Sequence, residues 1–134
     1  MAPPGITYVD DVPEEIEERL RAICLALPDA HEQVAWKGTR WMVRKKTFAS
    51  VLGIDDAEGL RSVLLAFRSE GDELEMFRHS GHPFLMLEWG RDAVGLVLDD
   101  NTDWDEVREL VTDSYCVMAP KKLAAQVDRP PEPT

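Results

Sequence analysis

The chain has 134 residues, and 15 lysines and arginines against 26 aspartates and glutamates leave a formal charge of −11. With 44% hydrophobic and 31% charged residues it has the composition of one globular domain, which excludes collagen, a disordered chain and a disulfide scaffold. No apolar run approaches the ~20 residues of a bilayer span, and Met1-Ala2-Pro3-Pro4-Gly5 lacks the basic flank and apolar stretch of a signal peptide, so a cytoplasmic protein without membrane contact is expected.

Residues 1–9 read as a flexible N-terminus, residues 10–127 as a single domain and residues 128–134, with three prolines, as a disordered tail. Asp10-Asp11-Val12-Pro13 offers caps and a first-turn proline, and Glu14, Glu15, Glu17 and Glu18 suit the positive end of a helix. Val12, Ile16, Leu20, Ile23, Cys24 and Leu27 recur at helical spacing until Pro28. From residue 32 the period changes: Val34 and Trp36 alternate with polar neighbours, Lys37-Gly38-Thr39 reads as a turn and Arg40 to Val43 as a strand. Arg44-Lys45-Lys46 reads as the next turn, and Thr47 to Ile54 and Ser62 to Phe67 as strands separated by Asp55-Asp56-Ala57-Glu58-Gly59.

Ser69 is a cap candidate for a short helix carrying Leu74, Met76 and Phe77, which Gly81 and Pro83 end. Phe84 to Trp89 and Ala93 to Leu98 flank Gly90-Arg91-Asp92, a hairpin turn by composition. Thr102 offers a cap for a helix bearing Trp104, Val107, Leu110, Val111, Ser114 and Tyr115, and Pro120 opens a last helix, Lys121 to Val127. Helices separated by blocks of hairpin strands predict an α+β fold with an antiparallel sheet, in the order α, β-meander, α, β-hairpin, α, α. Cys24 and Cys116 both fall on apolar stripes, where a thiol acts as a small hydrophobe.

The strings Lys46-Thr47-Phe48-Ala49, Asp113-Ser114-Tyr115 and Ala119-Pro120-Lys121-Lys122-Leu123-Ala124, with Leu27-Pro28-Asp29-Ala30-His31-Glu32, resemble the MmcQ/YjbR family of small bacterial domains. Together they span roughly residues 12–127. The resemblance implies helices packed on a strongly bent antiparallel sheet, with secretion-chaperone-like or frataxin-like topology. It also implies two hairpins projecting as a double wing, the basis on which members are often labelled DNA-binding.

Charge is segregated along the chain. Lys37, Arg40, Arg44, Lys45 and Lys46 give +5 within ten residues that hold no acid, whereas segments 10–18 and 99–113 each carry −6. Together with Arg91 on the second turn, these cations are candidate phosphate contacts, and Trp89 or Trp41 could stack on bases if exposed. A pI near 4.6 opposes steering toward a polyanion. Competing readings are ordinary solvated turns, contact with an acidic protein partner, and self-association through the sheet.

Other chemistry is weakly signalled. His79 and His82 make a short pair without a third ligand nearby, and His31-Glu32 has Ala35 where a zinc-protease helix needs its second histidine. Asp99, Asn101 and Asp103 open like a calcium loop, but Trp104 stands at its required glycine and Leu110 at its bidentate glutamate. Neither a Gly-x-Ser-x-Gly elbow nor a P-loop occurs. The expectation is a binding domain with no metal, no cofactor and no catalytic residues of its own; a small-molecule site or an enzyme built from residues distant in sequence is the remaining alternative.

Overall fold

A computed structural model describes residues 5–127. In chain order the elements are β1 (Thr7–Val9), α1 (Glu14–Leu25), β2 (Ala30–Val34), β3 (Thr39–Val43), β4 (Lys46–Asp55), β5 (Arg61–Arg68), α2 (Gly71–Ser80), β6 (Phe84–Met86), β7 (Ala93–Leu98), α3 (Trp104–Met118) and α4 (Lys121–Ala124). The fold is α+β. One sheet of seven antiparallel strands runs β2-β3-β4-β5-β7-β6, with β1 added beside β4.

Strand β4 is long enough that two neighbours share one of its edges. Residues 46–51 pair with β3 and residues 53–55 with β1. Strand β1 corrects the expectation of a flexible segment through residue 9. Ile6-Thr7-Tyr8-Val9 is too short to stand out as a pattern, yet it docks because Gly53 leaves room: a Cβ there would lie 2.5 Å from the Asp11 carbonyl oxygen and 2.7 Å from Val9 Cγ2. Residues 1–4 and the tail from 128 lie outside the described residues.

Alternation along the strands gives the sheet two buried faces. On one, Trp41, Val51, Leu65, Phe67, Val94 and Leu96 meet Leu20 and Cys24 of α1 and Val107, Val111 and Tyr115 of α3. The other gathers Leu52, Ile54, Leu64 and Ala66 under Tyr8 and Leu87, with no helix residue in the cluster.

A β-bulge sits between Trp41, opposite Ala49, and Met42, opposite Thr47, so Phe48 is the extra residue. Its carbonyl accepts a hydrogen bond from Ser114 Oγ at 2.5 Å, and its ring meets that of Tyr115 edge-on at 5.3 Å. Ser114 Oγ also accepts from the Arg68 amide at 2.7 Å, so one buried hydroxyl joins α3, β4 and β5.

Three expected helix caps are replaced by neighbours. Asp103, not Thr102, caps α3 by accepting from the amides of Asp105 and Glu106, while Thr102 Oγ1 accepts from the Asp99 amide. Glu70, not the buried Ser69, precedes α2. Asp10 and Asp11 do not cap α1, because Asp10 accepts from the Gly38 amide and Asp11 pairs with Arg61. Strand β6 stops at Met86 instead of Trp89, and the wider connection 87–92 leads into β7.

Candidate functional site

Sheet register decides which cations meet. Val43 pairs with Lys46, so Arg44 and Lys45 form a two-residue turn, with Arg44 at a φ of 56°. Ala49 at the start of β4 faces Phe67 at the end of β5, and Arg68 faces Ala93 at the start of β7. The β3–β4 turn and the connection carrying Arg91 therefore open at the same end of the sheet. Two strand spacings, roughly 10 Å, separate β4 from β7.

Arg44 lies 3.9 Å from Asp29 with both side chains largely exposed, a contact of little energetic weight. Lys45, Lys46 and Arg91 are exposed and in no ion pair among the described residues. Two further arginines reach this end. Arg68 donates to Asp92 at 2.7 Å and to the Trp89 carbonyl at 3.1 Å, while Arg78 donates to the Arg91 carbonyl at 2.9 Å and pairs with Glu75 at 3.3 Å. Sequence reading missed both, since strand pairing brings in Arg68 and the packing of α2 brings in Arg78, neither of them close along the chain to the turns.

The remaining candidates do not join this group. Lys37 sits in the β2–β3 turn at the opposite end, 3.8 Å from Asp10. Arg40, opposite Ser50 in mid-sheet, donates to Gln33 at 2.8 Å and has a buried Nε without a partner. Trp41 is fully buried and donates Nε1–H to Glu32 at 2.9 Å, which removes it as a stacking surface. Trp89 is half-buried, its ring 5.5 Å from that of Tyr8.

The exposed tryptophan is instead Trp36, 77% accessible, with Lys37 Nζ 5.4 Å from its ring centre. Val34 beside it is 88% accessible. The alternation of these two residues marks a strand, and β2, which ends at Val34, is an edge strand whose last four residues are all exposed.

Acidic segments gather away from the two basic turns. Asp10 to Glu18 follows β1, and Asp99 to Glu106 follows β7, both where β4 finishes. Asp55 there pairs with Arg61, whose hydrogen bond holds the carboxyl below its ordinary pKa. On the helical side of the cationic end, Glu70, Asp72, Glu73 and Asp113 line a cleft of 350 Å³ with Arg68 and Cys116, which confines the positive surface to the turns.

Among the described residues no three His, Cys, Asp or Glu side chains converge as metal ligands. His79 lies 4.0 Å from Glu75, and His82 lines a 300 Å³ pocket with Asp99, Asp103 and Glu106. Cys24 is a free, buried thiol whose pKa is raised by burial, and Cys116 is also in no disulfide. No helix among the described residues is long and apolar enough to cross a membrane.

Fold and surface together define a small α+β domain that backs an antiparallel sheet with helices and exposes basic turns at one end. The family model for YjbR matches residues 25–117, from the last residue of α1 to the last turn of α3, and the chain belongs to that family. Comparison with curated proteins returns no match.

Proposed function

We propose that this YjbR-family chain is a non-enzymatic domain that binds nucleic acid, DNA in the first instance, through the two turns carrying Arg44, Lys45, Lys46 and Arg91. The observation that supports this reading is the shared register, which brings both turns to one end of the sheet with three of the four cations unpaired. Guanidinium and ammonium groups on two such tips suit the phosphates of a backbone, acting as a pair of wings, and Trp89 lies behind them. No residue is assigned to catalysis.

Four engaged phosphates give an expected log–log salt slope of about −3 to −4. Fluorescence anisotropy with labelled duplex and single-stranded oligonucleotides should show binding at about 50 mM salt that fades near 200 mM. Lys45→Glu with Lys46→Glu should weaken it by about tenfold or more, while Lys37→Glu at the far end should leave it within about twofold. Absence of binding at the lower salt, or indifference to the double charge reversal, would remove this reading.

A second reading rests on the edge strand. Val34 and Trp36 expose apolar surface beside the unpaired edge of β2, which suits addition of a second copy strand to strand. Light scattering over a concentration series should then show a dimer that Val34→Lys returns to monomer. A wild-type chain that stays monomeric at the highest concentration would dismiss it.

A further inference from the structure

A groove of 620 Å³ lies between α1 and α3, and its Pro28 end adjoins Asp29, which faces Arg44 of the β3–β4 turn. Helices α1 and α3 run side by side in the same direction. Arg19 sits over the Trp104 ring at 5.1 Å near their starts, and the Tyr115 hydroxyl donates to the Pro28 carbonyl at 2.6 Å near their ends. Arg19, Ala22 and Ile23 lie on one face of α1, with Ala26 and Leu27 following just past its end, and Trp104, Arg108 and Thr112 lie on one face of α3. The α1 side between Arg19 and Leu27 is apolar, and Thr112, Gln126 and Val127 also line the groove.

Charge within these two helices is the telling feature. They hold eight carboxylates and only three basic residues, Arg19, Arg21 and Arg108. Arg21 is neutralised by Glu17 at 3.2 Å and Glu32 at 2.8 Å. Arg19 and Arg108 make no ion pair among the described residues, and both line the groove. Asp105 lines it beside Trp104, and the two guanidiniums outnumber it. Its cation–π contact with Trp104 holds the Arg19 guanidinium beside the groove, and its N–H groups make no ion pair there among the described residues.

We propose that this groove binds a medium-chain acyl carboxylate. The head group takes the bidentate donors of Arg19 and Arg108, and the chain lies along Ala22, Ile23, Ala26 and Leu27. The eight residue steps from Arg19 to Leu27, along α1 and just past its end, span roughly 12 Å, the reach of an extended chain of about ten carbons. The volume falls within the usual size of small-molecule sites. This assignment is independent of the basic turns.

Titration calorimetry with decanoate and with 1-decanol separates local from global charge. The chain as a whole carries −11 and the basic turns also offer cations, so the preference is assigned to the groove by its loss in variants of Arg19 and Arg108. Decanoate should bind saturably and at least about tenfold more tightly than the alcohol, about 1.4 kcal/mol. Arg19→Gln with Arg108→Gln, both at exposed positions, should abolish that preference while retaining alcohol binding. Ala26→Trp, which fills the apolar stretch from an exposed position at the C-cap of α1, should weaken both ligands. Absence of saturable binding, equal affinity for the two ligands, or decanoate affinity unchanged in either variant would overturn the proposal.

Discussion

Trp41→Ala is expected to destabilise the fold by about 3–5 kcal/mol, a large part of the ~5–15 kcal/mol that holds a typical domain together. Its indole is fully buried between the sheet and the helices, and the cavity left behind could not collapse without moving both. A second loss adds to the first. Trp41 Nε1–H donates to Glu32, which accepts from Arg21 at 2.8 Å; Arg21 pairs with Glu17, and Glu17 accepts from Thr39 Oγ1 at 2.7 Å. This chain fastens α1 onto the β2–β3 hairpin. Urea unfolding should show the midpoint fall with little change in slope, and Trp41→Phe should recover much of the loss. The Arg21 hydrogen bond, followed by that from Trp41, holds the Glu32 carboxyl below its ordinary pKa. Its contribution is therefore present at neutral pH and disappears as pH falls through that lowered value. A midpoint for Trp41→Ala within the error of the wild type would contradict the assigned packing.

Ser114→Ala should cost about 2–4 kcal/mol although it removes a single atom. The hydroxyl satisfies two backbone groups at once, the Phe48 carbonyl that the bulge takes out of the ladder and the amide of Arg68. Alanine would leave both without a partner in a buried setting. Hydrogen exchange supplies a local readout: the Arg68 amide should exchange far faster in the variant, while amides in the middle of β5 change only with global stability. Unaltered protection at Arg68 would refute the role given to Ser114.

What the sequence made legible follows from how local each signal is. The stripes of α1 and α3 and the apolar runs of β4, β5 and β7 are one-dimensional patterns, and the helices and strands they predicted are present. Strand β1 was missed because three residues cannot establish a period, and its docking depends on the distant Gly53. Val34 and Trp36 alternate as in a strand, but alternation does not fix where the strand stops, which is Val34, or whether a neighbour covers it. Asp10, Asp11 and Thr102 had the right chemistry for caps but were used elsewhere, a choice made by tertiary contacts. For the candidate site, the cations were readable and their grouping was not. The separation of Lys37 and Arg40 from Lys45 and the arrival of Arg68 are properties of register, and that of Arg78 of how α2 packs.

The lengthwise division of charge along β4 changes how the chain's negative total acts. From Lys46 to Ile54 the strand covers roughly 25 Å. The Debye length in physiological salt is about 8 Å, so counterions largely screen the carboxylates beyond one extremity before their influence reaches the other. An ion close to Lys45 and Arg91 would therefore feel the charges of that extremity, the turn cations together with Asp29, Asp92 and the acidic cleft beside Arg68, and not the sum over the molecule.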